Sequence, residues 1–184
     1  RKFTGTTKFE LNDHIPLIAI IRGVLPDEVV GVAEVLIAEG FTLIEVPLNS
    51  PDALESIKRL VDQFGDKYFI GAGTVTNEQQ AKDVIATGAN LVVTPNMNTA
   101  VIKLAADAGC ATFPGVVTPT EAFDALAASA TGVKVFPVTS LGLEGFKALK
   151  SVLPAGTLIF PVGGINPTVD SMKPYTDLGA RGFG

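Results

Sequence analysis

Two charged residues stand inside runs that are otherwise apolar. Lys134 lies in Gly132-Val133-Lys134-Val135-Phe136-Pro137, and Glu45 in Leu43-Ile44-Glu45-Val46-Pro47-Leu48. An ammonium among valines costs free energy unless something compensates. The usual outcome is a lowered pKa, because a low dielectric disfavours the charged form. A lysine that is neutral near pH 7 is a nucleophile whose natural electrophile is a carbonyl carbon. An acid sharing that interior can shuttle protons around the resulting imine. The competing account is structural: a lysine at a strand end, or a buried ion pair, which often contributes no net stability.

Strand alternation decides which way the two side chains face. Leu43, Glu45 and Pro47 fall on one face of their run, with Ile44 and Val46 on the other. Ile44 and Val46 suit packing against helices, as do Val133 and Val135. Glu45 and Lys134 are therefore expected to point inward together.

Other polar residues cluster at the ends of similar runs. Arg22 closes the first and offers a guanidinium fork suited to a carboxylate or phosphate, or else a surface salt bridge. Thr74, in Gly71-Ala72-Gly73-Thr74, either donates its hydroxyl to a substrate carboxylate or merely ends a strand. In Pro161-Val162-Gly163-Gly164-Ile165-Asn166-Pro167, glycines ahead of a helix start let backbone N–H groups approach an anion, although a Gly-Gly pair also serves plain turns. Arg181 and Cys110 begin strands, at the rim opposite the chemistry, and are assigned to stability and packing. His14 precedes the first strand and is given no catalytic role.

These residues are placed by one repeated unit: a short apolar run, a turn signal and a helix-period stretch. The runs are Leu17–Gly23, Leu43–Leu48, Tyr68–Thr74, Leu91–Pro95, Cys110–Gly115, Gly132–Pro137 and Leu158–Gly164, with an eighth beginning at Arg181. Their starts are spaced by roughly 20 to 26 residues, the size of a minimal βα unit. Each is apolar on both faces, as parallel strands between helices and an interior should be. Helix starts are marked at Pro26-Asp27-Glu28, Ser50-Pro51-Asp52, Thr76-Asn77-Glu78, Thr118-Pro119-Thr120-Glu121 and Asn166-Pro167-Thr168. The pattern predicts an α/β fold, a (β/α)8 TIM barrel, over a single domain of residues 1–184. A doubly wound open sheet is the alternative, weakened because no Gly-x-Gly-x-x-Gly follows the first run. The sequence stops just inside the eighth strand, so it is read as cut short there, with its last helix missing.

Composition bounds the rest. The chain has 184 residues, 47% hydrophobic and 18% charged, with a net charge of −5. That balance argues against nucleic acid or an anionic membrane as partner. With one cysteine and one histidine, there is no internal disulfide and no Cys-based or paired-His metal site. No run of about 18 apolar residues is present and the start lacks a secretory segment, so a cytoplasmic protein is expected.

The motifs in order resemble the class I aldolases acting on 2-keto-3-deoxy-6-phosphosugar acids. The resemblance is carried by Pro16-Leu17-Ile18-Ala19-Ile20-Ile21-Arg22-Gly23, Ile44-Glu45-Val46-Pro47-Leu48-Asn49-Ser50-Pro51, Gly71-Ala72-Gly73-Thr74-Val75, Val93-Thr94-Pro95-Asn96, Lys134-Val135-Phe136-Pro137 and Val162-Gly163-Gly164. It implies a lyase in which Lys134 forms a Schiff base with the C2 carbonyl and Glu45 is the acid/base. Arg22 and Thr74 would hold the pyruvate-derived carboxylate, and backbone groups of Val162, Gly163, Gly164 and Ile165 the phosphate. No cofactor or metal is implied, so activity should survive EDTA, and the assembly would be a homotrimer.

Two positions differ from the members specific for the phosphogluconate compound. Those carry arginine where this chain has Asn49, and threonine where it has Val162; Arg22 would supply the displaced guanidinium. The implied reaction is cleavage of 2-dehydro-3-deoxy-6-phosphogalactonate to pyruvate and D-glyceraldehyde 3-phosphate. The alternatives are the gluconate epimer or both epimers, a non-catalytic phosphosugar-binding barrel with Lys134 and Glu45 paired, and a phosphosugar isomerase.

Overall fold

The computed structural model describes residues 9–184. The first five residues, which the absence of a secretory segment concerned, lie outside that range. Among the described residues there are eight short strands and seven α-helices, with an α-helix between successive strands except after the fifth. The strands are β1 (Ile18–Ile20), β2 (Leu43–Pro47), β3 (Phe69–Gly73), β4 (Leu91–Val93), β5 (Ala111–Phe113), β6 (Gly115–Val116), β7 (Val133–Val135) and β8 (Ile159–Pro161). The helices are α1 (Val29–Ala38), α2 (Ala53–Phe64), α3 (Glu78–Ala86), α4 (Thr99–Asp107), α5 (Pro119–Ala127), α6 (Gly142–Val152) and α7 (Val169–Asp177).

Pairing is parallel throughout the described residues, in the order β1 to β5 and then β6 to β8. Two sets of backbone hydrogen bonds join these arcs into a ring. At one junction Lys134 N–H donates to the Pro114 carbonyl at 2.9 Å. At the other, Arg181 N–H reaches the Ile159 carbonyl at 3.0 Å, and Phe183 bridges to Leu17 beside β1. The segment 181–183 thus occupies the eighth staves' place, and the barrel expected from the repeats is the observed fold.

The fifth run differs from the single strand expected over Cys110–Gly115. It divides at Pro114, which has no N–H to give to a ladder, so β5 pairs with β4 while β6 turns to β7. Ser50 also departs from its expected role as a helix cap. The residue before α2 is Asp52, at φ 43°, with no side-chain capping bond. Asn77 and Thr118 do cap α3 and α5, the latter in a reciprocal capping box with Glu121.

Alternation sorts the core into layers. Outward-facing Ile44, Val46, Ile70, Ala72 and Val92 pack under α1 to α4 with Ala33, Ile57, Leu60, Val84 and Val101. Val133, Val135 and Ile159 do the same under the later helices with Phe146 and Leu149. Each of the valines, leucines and isoleucines among them contributes about 1.5–3 kcal/mol through burial. The interior face is Ile18, Leu43, Phe69, Leu91, Val93, Phe113, Phe160 and Val162.

Aromatic rings close the floor of the barrel. Phe113 lies 5.0 Å from Phe160, and Phe9 lies 5.2 Å from Phe69 and 5.1 Å from His14. His14 Nδ1 sits 2.7 Å from Thr42 Oγ1, and burial lowers its pKa against the opposing pull of Asp13. Cys110 is buried with its thiol pushed up to about 11, as suits a packing residue. The mouth of the barrel, where the strands end, is left for chemistry.

Candidate active site

Glu45 and Lys134 share the interior, as their parity required. Glu45 is opposite Ile20 and Gly71 on neighbouring strands, and Lys134 is opposite Gly115 and Phe160. Their residual exposures are 2% and 8%, so both charges would be largely cut off from water. Burial lifts Glu45 to about 7, opposed by the charges of Lys134 and Arg22. Burial lowers Lys134, opposed by Glu45 and reinforced by Arg22. Each group is thereby moved toward its neutral form, which is what imine chemistry asks of an amine and an acid near pH 7.

The two are not an ion pair. Among the described residues, ion pairs join Lys58–Asp62, Arg59–Glu55 and Lys173–Asp177, all exposed on helices one turn apart. Glu45 Oε2 is buried with no hydrogen-bond partner. Lys134 Nζ instead sits 4.5 Å above the ring of Phe136. An unpartnered buried carboxyl is costly in a purely structural role, and it leaves an acceptor and donor for a substrate.

Arg22 is exposed just beyond β1, and its guanidinium donates to Asn49 Oδ1. It acts electrostatically on both Glu45 and Lys134. Thr74 follows β3 half-buried at φ 59°. For a β-branched residue that left-handed conformation is an outlier, and such strain, about 1–3 kcal/mol, collects at functional sites.

Of the four residues expected to cradle phosphate, Val162 is set apart. Its N–H donates to the Val135 carbonyl at 3.0 Å and its carbonyl accepts from Val138. Its buried side chain forms part of the apolar wall with Ile18 and Ile20. The N–H groups of Gly163, Gly164 and Ile165 have no acceptor in the described residues and remain available to an anion.

Three neighbours were missed by the sequence reading. Phe136 is two residues from Lys134, hence on the same strand face, a signal available from alternation. Gly73 lies against the Glu45 carboxyl, which depends on strand register and is not written in the sequence. Ser50, read as a cap, turns inward and accepts from Gly23 N–H at 3.0 Å.

A closed parallel barrel with a buried amine and a buried acid at its mouth has the layout of the imine-forming lyases. A family described as KDPG and KHG aldolase matches residues 10–180. The chain belongs to that family of aldolases, which are carbon–carbon lyases. The 2-dehydro-3-deoxy-6-phosphogalactonate aldolase of Escherichia coli K12 is 44% identical over 170 residues, 92% of this chain and 82% of that one. A solved structure described as native KDPGal superposes with a TM-score of 0.88 at 44% identity, over 92% of this chain and 82% of that chain. The KDPG aldolase of Legionella pneumophila, with pyruvate captured at low pH as a covalent carbinolamine intermediate, gives a TM-score of 0.78 at 28% identity, over 91% and 79% of the two chains. Among the described residues no helix is long and apolar enough to cross a membrane, and no three His, Cys, Asp or Glu side chains gather in a metal-holding group.

Proposed function

We propose that this aldolase cleaves 2-dehydro-3-deoxy-6-phosphogalactonate to pyruvate and D-glyceraldehyde 3-phosphate through a Schiff base on Lys134. The observation that carries the reading is the buried pair: an amine pushed toward neutrality and a carboxyl raised to about 7, unpaired with each other. The names of the E. coli relative and of the Legionella intermediate support the substrate class and the covalent step.

The neutral Lys134 amine attacks the C2 ketone to give a carbinolamine. Glu45 gives its proton to the departing hydroxyl, water leaves, and an iminium remains. The Glu45 carboxylate then removes the proton of the C4 hydroxyl. The C3–C4 bond breaks, its electron pair moving into the enamine, and the phosphorylated aldehyde departs. Glu45 returns the proton to C3, and water adds to the iminium to release pyruvate and the free amine. General acid–base help of this kind is worth about 10²–10⁴-fold.

The remaining roles follow position. Arg22 and Thr74 take the carboxylate end, and the free N–H groups of Gly163, Gly164 and Ile165 take the phosphate, with Val162 contributing its apolar side chain beside C4. The phenyl ring of Phe136, already under Lys134 Nζ, is placed to favour the cationic iminium. The same reading makes the enzyme cytoplasmic and homotrimeric, which sedimentation checks for the assembly.

The test is kcat/KM on the two C4 epimers. The galactonate compound is expected to be the better substrate, because the Val162 side chain offers no hydroxyl to read the gluconate configuration. A clear preference for the gluconate compound would assign the enzyme to that epimer, and release of pyruvate from neither would return the chain to a binding role.

A further inference from the structure

We infer that Asn49 and Ser50 are positioning residues for Arg22, holding its guanidinium in the orientation that receives the substrate carboxylate. This deepens the proposed function and rests on Arg22 as carboxylate ligand. Arg22 itself is exposed, and an exposed arginine has much rotamer freedom to lose. Ordering it at the moment of binding would weaken the affinity for a carboxylate.

The structure has already ordered it by three tethers, one from β2 and two from the loop that follows it. On the N-terminal side of Arg22, Ile21 N–H donates to the Glu45 carbonyl at 3.1 Å. On the C-terminal side, Gly23 N–H donates to Ser50 Oγ at 3.0 Å. Between them the guanidinium donates to Asn49 Oδ1, and its remaining N–H groups have no acceptor among the described residues. Ser50 is 8% exposed and its own N–H is fixed on the Pro47 carbonyl at 2.9 Å, so the hydroxyl that grips Gly23 is itself held. The loop leaving β2 therefore sets both the backbone and the side chain of the residue leaving β1. The charge of Arg22 reaches Glu45 and Lys134, so the held orientation is one that bears on the reacting groups.

The experiment measures borohydride trapping of pyruvate on the full chain as a function of pyruvate concentration. Ser50→Ala and the exposed Asn49→Ala are each expected to raise the half-saturating pyruvate roughly tenfold, the scale of one side chain to be ordered, with the maximal trapping rate within about twofold. In an Arg22→Ala background, Ser50→Ala should add nothing further, because it acts through Arg22. Unchanged half-saturation in both single variants, or an additive effect in the Arg22→Ala background, overturns the inference while leaving Arg22 as ligand. Unchanged half-saturation in Arg22→Ala alone overturns the carboxylate role of Arg22, and the inference with it.

Discussion

The carboxyl of Glu45 fills the space that any side chain at residue 73 would need. A Cβ built on Gly73 would lie 1.6 Å from Glu45 Oε2, far inside contact distance. The glycine is thus what allows the acid to stand over β3 at the mouth of the barrel. Gly73→Ala is expected to push the carboxyl aside and to lower kcat by about 10²-fold, the scale of a lost general acid–base. Shortening the acid in the double variant Gly73→Ala with Glu45→Asp should recover part of that loss. Steady-state kinetics on the sugar acid check both; a wild-type kcat in Gly73→Ala would contradict the steric account.

Stability should carry the signature of the same buried acid. The pKa of Glu45 rises from 4.5 to about 7 on folding, so across that window the folded chain holds a proton that the unfolded chain has lost. Its contribution to stability therefore falls as pH climbs from 4.5 toward 7. Glu45→Gln is neutral at every pH. It should match the wild type near about pH 4 and exceed it above about pH 8 by on the order of 3 kcal/mol. Thermal unfolding across pH reads this as a gap in Tm that widens toward alkali.

At the phosphate end, Gly164 has φ 87°, and a Cβ there would lie 2.3 Å from Thr139 Cγ2. Gly164→Ala is expected to distort the run of free N–H groups and raise KM for the phosphorylated substrate at least about tenfold, the free-energy scale of a lost charge-assisted hydrogen bond. Trapping of unphosphorylated pyruvate should be little changed. Equal losses with both ligands would mean that the loop serves the barrel rather than the phosphate.

Val162 is 5% exposed in the interior wall. Val162→Thr introduces a hydroxyl of nearly the same shape, and the ratio of kcat/KM should move toward the gluconate epimer by roughly tenfold, since a polar group discriminates hydroxyl configuration where an apolar one does not. An unchanged ratio would place the reading of C4 elsewhere.

The repeat and the inward pair were legible because both rest on local periodicity. Apolar runs separated by helix-length stretches require a layered parallel fold, and alternation alone turned Glu45 and Lys134 to the side of Leu43. Phe136 was within reach of the same rule. Register was not, so the fit of Glu45 over Gly73 came only with the strands in place. The division of the fifth strand at Pro114 was hidden for a different reason: a barrel must bend somewhere, and only tertiary pairing shows which N–H can be spared. Ser50 was misread because the same hydroxyl that caps helices can take a backbone N–H from another loop, and local sequence does not say which wins.

The central claim is that Lys134 is the amine that bonds to the substrate carbon. Treating the protein with pyruvate and sodium borohydride, then mapping the product by peptide mass spectrometry, tests it directly. A reduced pyruvyl group on Lys134, absent when pyruvate is omitted, is the predicted result. An unlabelled protein, or a label carried by any other lysine, would contradict it.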